Sequence, residues 1–367
     1  MKKTLFFLAL MMSQIGFSQE NYLFVGTYTS KGSEGVYVYK FDSKTGDFKA
    51  VSVAKGIKNP SFLAIAPNQR NIYSVGEMDK QGAVNAFSFD KKSGELKLLN
   101  TESAGGAGPC HIAVDKTGKW AIVGNYAGGS LSILPIQPDG TLGKATQTIQ
   151  HEGKSVNTER QEKPHVHSIN IAQNNTDIFV PDLGIDKLMA YQLDTKEGKL
   201  IAKTPVQTTA GAGPRHFTYH PNNKFAYVIN ELDATITGYE YKNGTLKAIQ
   251  TVNTLPSDYT GRKWCADIHT SPDGKFLYGS NRAHESLVIF EINQKTGQLS
   301  YVGHQDVKGK TPRNFMIDPS GNWALVANQD SDNITIFKRD KKTGKLEFTG
   351  REIKVSMPVC LKMMPVE

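Results

Sequence analysis

The segment Met357-Pro358-Val359-Cys360-Leu361-Lys362-Met363-Met364-Pro365 ends the chain on a strand with no successor, and its reading decides the fold. Pro358 and Pro365 stand seven residues apart, as do Pro60 and Pro67, Pro214 and Pro221, and Pro312 and Pro319. Inside the chain such a strand runs into a turn and then a second strand, as in Asn71-Ile72-Tyr73-Ser74-Val75 and Phe225-Ala226-Tyr227-Val228-Ile229, rich in β-branched and aromatic residues. The C-terminal copy lacks that partner. The missing strand stands at the other end, where Tyr22-Leu23-Phe24-Val25-Gly26 resembles Ile72-Tyr73-Ser74-Val75-Gly76. One unit is therefore split between the termini. This predicts a ring closed by a C-terminal inner strand joining the N-terminal strands, which leaves no unpaired inner edge.

The number of units follows from a recurring turn. Lys44-Thr45-Gly46, Lys92-Ser93-Gly94, Pro138-Asp139-Gly140, Lys196-Glu197-Gly198, Lys242-Asn243-Gly244, Lys295-Thr296-Gly297 and Lys342-Thr343-Gly344 place glycines 48, 46, 58, 46, 53 and 47 residues apart. Glycine at a fixed place in a hairpin supplies positive φ without steric cost. Seven units of about 50 residues each have room for four short strands, and long amphipathic helical patterns are absent. The expected fold is all-β, a seven-bladed β-propeller with four-stranded blades. Residues 19–367 form one domain in this reading.

Residues 1–18 read as a secretory signal peptide: Lys2 and Lys3 precede an apolar run from Leu5 to Met12, and Gly16-Phe17-Ser18 offers a small-residue cleavage site. Export is expected, to the periplasm if the cell is Gram-negative, with no membrane attachment after cleavage. The 367 residues carry a net charge of +8, with 21% charged and 38% hydrophobic residues, which excludes a disordered chain and a polytopic membrane protein. Basic residues are scattered among acidic ones, so no nucleic-acid partner is expected. The odd count of three cysteines leaves at least one thiol free, and none has metal-ligand spacing. Buried, inert thiols and a monomeric chain are the expectation.

Aligning the units shows where polar residues interrupt the repeat. The position after the first-strand proline reads Ser61, Cys110, His167, Arg215, Ala266, Arg313 and Val359, and the next reads Phe62, His111, Ser168, His216, Asp267, Asn314 and Cys360. Second strands end on Gly76-Glu77, Asn125-Tyr126, Asp182-Leu183, Asn230-Glu231, Asn281-Arg282 and Asn328-Gln329. The start of one strand and the end of its antiparallel neighbour share one side of a sheet. Glu77, His111, His165, His167, Asp182, Arg215, His216, Glu231, Arg282 and Arg313 therefore converge on one mouth of the central channel. The recurring Asn230, Asn281 and Asn328 read as turn-formers.

Arginines beside a histidine and a glutamate suit attack of water on an ester or lactone carbonyl. Glu231 or His167 would take the proton, while Arg215 and Arg282 stabilise the oxyanion or hold an anionic substituent. His111, His165, Asp182, His216 and Arg313 are the candidate substrate contacts. No metal or other cofactor is called for. The same groups could instead cyclise an unsaturated dicarboxylate, or bind a ligand without turnover. No helix follows the glycine-rich turns Gly105-Gly106-Ala107-Gly108-Pro109 and Gly211-Ala212-Gly213-Pro214, which excludes a helix-terminal phosphate cradle.

Several motifs resemble those of the propeller 6-phosphogluconolactonases. They are Gly26-Thr27-Tyr28-Thr29, Gly108-Pro109-Cys110-His111, Pro164-His165-Val166-His167-Ser168, Gly213-Pro214-Arg215-His216-Phe217, Asn230-Glu231-Leu232, Ser280-Asn281-Arg282, Pro312-Arg313-Asn314-Phe315 and Ala327-Asn328-Gln329. The resemblance spans essentially the whole mature chain and implies a seven-bladed propeller acting on a small anionic lactone or sugar acid without an obligatory metal. The family includes fungal carboxymuconate-cyclising enzymes, whose His, Arg and Glu match His167, Arg215 and Glu231, with a further Arg resembling Arg282. The family's phosphorylated lactone is made in the cytoplasm, so an export signal points to an exported or environmental lactone.

Overall fold

In a computed structural model, described for residues 20–367, 28 strands form seven four-stranded antiparallel sheets. The predicted leader lies outside the described residues. The sheets follow one another round a ring in chain order, and the innermost strands of successive blades are neighbours. Blade 1 is the composite one. Its inner strand Pro358–Pro365 pairs with Glu20–Thr27, followed outward by Gly35–Asp42 and Phe48–Lys55. The split repeat thus closes the ring as expected. Two three-residue 3-10 turns, Leu183–Ile185 and Gln329–Ser331, are the helical elements among the described residues, and no helix there is long and apolar enough to cross a membrane.

The second strand of every blade is buried along nearly its whole length, as in Phe225–Asn230 and Trp323–Asn328. Each is covered on both faces by adjacent blades, so its sequence is a continuous apolar run and not an alternation. The outer strands are half exposed, and Thr245–Asn253 alternates between polar and apolar residues.

The seven turn glycines all adopt positive φ, between 62° and 87°. Each sits on the face away from the predicted mouth and is packed against the preceding blade. Trp323 Nε1 donates to the Ser43 carbonyl at 2.9 Å, and the Tyr22 hydroxyl donates to the Lys91 carbonyl at 2.7 Å. The hydroxyls of Tyr73, Tyr227 and Tyr278 donate to the carbonyls of Gly140, Gly297 and Gly344. Trp120 Nε1 reaches the Thr195 carbonyl, and the Tyr241 hydroxyl closes the remaining joint on the Asp177 carboxylate. A polar-tipped aromatic thus latches each blade to the next, burying its ring while satisfying a turn.

Candidate active site

The inner strands of most blades carry a register irregularity at their start. In blade 5, Pro214 pairs with Asn230 and His216 with Ile229, so Arg215 is the extra residue of a β-bulge. Arg313 falls in the same slip between Pro312 and Asn314, and Cys110 in that between Pro109 and His111. A bulged residue leaves the pleat and is re-aimed. The position after the proline therefore points into the channel mouth. His167 reaches the same place in blade 4, one residue past the isolated bridge between Val166 and Asp182.

The mouth holds a cavity of about 360 Å³, lined by Glu77, Cys110, Tyr126, Arg160, His167, Glu231, Arg262, Trp264, Arg282 and Arg313. A crevice of about 10 Å³, the size of one water, continues inward past Arg215 and His216. A larger groove of about 590 Å³ lies on the outer edge between blades 5 and 6, lined by residues such as Thr251, Phe290, Tyr301 and His304, but no charged groups converge there.

Glu231 organises the charged groups. Its Oε2 accepts from Arg215 Nε at 2.9 Å and pairs with Arg282 Nη2 at 2.6 Å, while Oε1 accepts from Arg160 Nη2 at 2.6 Å. Burial pushes the Glu231 carboxyl upward, but Arg282, Arg215 and Arg160 overcome that and hold it well below the usual carboxylate range. Arg215 also donates to the Ala266 carbonyl, and Arg282 to the Cys265 carbonyl. Arg282 lies 3.9 Å from the Trp264 ring centroid, with Arg262 at 4.2 Å from the same ring. Burial presses the Arg282 guanidinium down, Glu231 pulls it back, and Arg215 and Arg313 add to the burial.

His167 is buried, with Nδ1 3.9 Å from the Cys110 thiol and its ring edge-on to His216 and Tyr126. Burial first, then Arg215, His216 and Arg313, drives its pKa well below the ordinary 6.5, so the imidazole is neutral near pH 7. Burial likewise raises the Cys110 thiol, and all three cysteines are free and buried. On another wall, the Tyr28 hydroxyl accepts from Arg313 Nη2 at 3.0 Å and donates to Glu77 Oε2 at 2.9 Å.

The remaining predicted contacts are engaged in the frame. Asp182 is fully buried, binding His151 Nδ1 at 2.6 Å and capping the amides of His165 and Gly184. His165 stacks on Tyr126 at 4.4 Å and pairs with Glu162, so it supports the wall. His111 stacks on Phe62 and accepts from the Ile169 amide. His216 lines the inner crevice, held by Asp267 at 2.7 Å; burial and then Arg215 lower it to about 4 against the pull of Asp267. Asn230, Asn281 and Asn328 bond neighbouring hydroxyls or carbonyls, as turn-formers do.

Arg160, Arg262 and Trp264 escape the repeat alignment because they belong to the two longest connections between blades, residues 151–169 and 254–264. Their signal is present in the turn spacings, since 58 and 53 are the two longest. Among the described residues no group of three or more His, Cys, Asp or Glu is placed to hold a metal ion. The two cavities together hold Arg160, Arg215, Arg282 and Arg313 against Glu77 and Glu231, a surplus of two positive charges before the rim Arg262 is counted. Such a site favours an anion, or an oxygen on which negative charge develops.

Residues 22–363 match the model of a family described as lactonase, 7-bladed beta-propeller. The chain is 37% identical over 343 residues to a 6-phosphogluconolactonase of Bacillus subtilis, covering 93% of this chain and 97% of that protein. It is 40% identical over 305 residues to a 6-phosphogluconolactonase of Formosa agariphila, covering 81% and 86%. The crystallised periplasmic gluconolactonase of Pseudomonas aeruginosa superposes with a TM-score of 0.90 at 33% identity, covering 95% of this chain and all of that one.

Proposed function

Because the chain belongs to the lactonase family of seven-bladed propellers, we propose that its arginine-rich mouth hydrolyses a sugar lactone by attack of water on the ring carbonyl. The observation that carries this reading is the clustering of Arg215, Arg282 and Arg160 on the single carboxylate of Glu231. Water attack places negative charge on the carbonyl oxygen, and donors already fixed in a buried site stabilise that charge without reorganising. Arg282 lines the larger cavity and Arg215 the crevice beneath, so they face the reacting carbon from the mouth and from below. Glu231 has both oxygens engaged by guanidinium groups and serves as their anchor. His167, neutral at neutral pH, accepts a hydrogen bond from the attacking water and orients it.

The surplus positive charge selects an anionic lactone or sugar acid, and the exposed Arg262 on Trp264 supplies a charge at the rim for a second anionic substituent. The leader-like first 18 residues and the periplasmic gluconolactonase among the similar structures support an exported enzyme working on such small molecules. The test follows acid release from gluconolactone and its 6-phosphate at constant pH. Arg282→Ala is expected to lower kcat/KM by on the order of 10²–10³. Rates equal to buffer for both lactones, or an Arg282→Ala enzyme as fast as wild type, would overturn the reading.

A further inference from the structure

Two carboxylates line the cavity, and their oxygens are held in different ways. Glu231 in blade 5 has three guanidinium groups on its two oxygens. A proton arriving there would displace one of them. Glu77 stands at the end of a second strand in blade 2, three blades away. The Tyr28 hydroxyl donates to its Oε2 at 2.9 Å, and the Ser61 hydroxyl donates to the same oxygen. Its Oε1 makes no hydrogen bond among the described residues, and the side chain lines both the cavity and the crevice beneath it. One oxygen is thus anchored while the other is left unpaired at the cavity wall.

The backbone beneath Glu77 is fixed in the same deliberate way. Asn59 donates from Nδ2 to the Glu77 carbonyl at 3.0 Å and accepts the Glu77 amide on its own carbonyl at 3.0 Å. Asn59 is itself held at φ 45° by the Thr29 amide and hydroxyl, both donating to its Oδ1. A non-glycine residue in the left-handed region costs energy and persists where its surroundings over-determine it. Arg313 reaches Glu77 through Tyr28, so the carboxylate sits next to a fixed positive charge without being paired to it directly.

We infer that Glu77 is the proton-transferring catalytic residue of this site. This rests on the lactone-hydrolase reading above. The water oxygen bonds to the carbonyl carbon as one of its protons passes to Glu77 Oε1. The ring carbon–oxygen bond then breaks, and the same proton goes from Oε1 to the departing ring oxygen, giving the hydroxy acid. One carboxylate serves both steps, as general base and then general acid. Tyr28 and Ser61 fix the oxygen that does not exchange protons, and Arg215 and Arg282 carry the oxyanion between the two steps.

Glu77→Gln keeps an acceptor for Tyr28 and Ser61 but cannot take the proton. It is expected to lower kcat on gluconolactone or its 6-phosphate by on the order of 10²–10⁴ with little change in KM. In Glu77→Ala, added formate or acetate should restore turnover, and the rescue should increase with the basicity of the added carboxylate, a dependence that a merely structural side chain would not produce. If Glu77→Gln proves unfolded by its thermal melt, Glu77→Asp, with a shorter reach, should fold and lose at least about tenfold in kcat. A folded Glu77→Gln or Glu77→Asp enzyme within about threefold of wild-type kcat, or an active-site vacancy in Glu77→Ala that no carboxylate rescues, would overturn the assignment of Glu77 alone. Wild-type protein no faster than buffer would overturn the lactonase reading together with it.

Discussion

On the face of the ring away from the cavity, the same job is done at all seven blade joints, at six of them by a Tyr or Trp of a second strand and at the seventh by Tyr241 of a third strand. Tyr227 meets Gly297, Tyr278 meets Gly344 and Trp323 meets Ser43, each a side chain donating to a turn carbonyl of the next blade. On the cavity face, equivalent positions read Val359, Ser61, Cys110, His167, Arg215, Ala266 and Arg313. The difference comes from local geometry. A latch residue stays in the regular pleat and packs between two blades, so only an aromatic or similarly shaped group serves. A bulged residue at the start of an inner strand leaves the pleat, packs against nothing common to all blades, and is free to differ. Where packing imposes no residue type, the chemistry of the mouth does.

Breaking the charged cluster should have the largest effect. Glu231→Gln leaves Arg215 and Arg282 buried with a weakened partner, and removing one partner of a buried ion pair costs roughly 3–5 kcal/mol. Urea unfolding and turnover should therefore fall together, because the same carboxylate stabilises the fold and places the arginines. A latch should separate the two. Gly198 sits at φ 62°, and an added Cβ would meet the Trp120 ring at 2.2 Å. Gly198→Ala is expected to destabilise by about 1–3 kcal/mol, read by thermal unfolding, with kcat unchanged in the folded protein. A loss of kcat in that variant would show that the two faces are coupled.

The rim supplies a smaller effect of the opposite kind. Arg262 is exposed and stacked on Trp264, so Arg262→Ala should leave the melting temperature unchanged. It should raise KM for the 6-phosphate about tenfold while barely touching that for gluconolactone, since only a second anion uses that charge. The least abrupt expectation concerns pH. His216 is held neutral down to about 4 by burial and Arg215, while His111 and His167 are lowered in the same direction. In the unfolded chain these residues take up protons near pH 6.5. Between that value and the folded one the unfolded state binds more protons, so stability should fall as pH drops from about 6.5 toward 4. A stability flat across that window would show that these histidines are not held neutral by burial in the folded protein.

The same contrast explains what could be read from the sequence. The turn glycines repeat because each needs positive φ, and the split unit at the termini follows from ring closure, so blade number and topology were legible. The convergence of His167, Arg215, Glu231, Arg282 and Arg313 was legible because strand starts and ends have fixed places in an antiparallel blade. Arg160, Arg262 and Trp264 were not, since an interblade loop has no register to align; only the spacings of 58 and 53 pointed to it. Asp182 and His165 looked like the other mouth residues in one dimension. Their hydrogen bonds to His151, to backbone amides and to Glu162 depend on how the 151–169 loop folds back, which no spacing reveals.

A crystal structure with the sugar-acid product bound would show whether the arginine-rich mouth is where the lactone binds and is turned over. The product carboxylate is expected against Arg282 and Arg215, within hydrogen-bond reach of His167, with any phosphate directed toward Arg262. Product seated in the outer groove between blades 5 and 6, or its carboxylate turned away from Arg282, would contradict that role of the mouth.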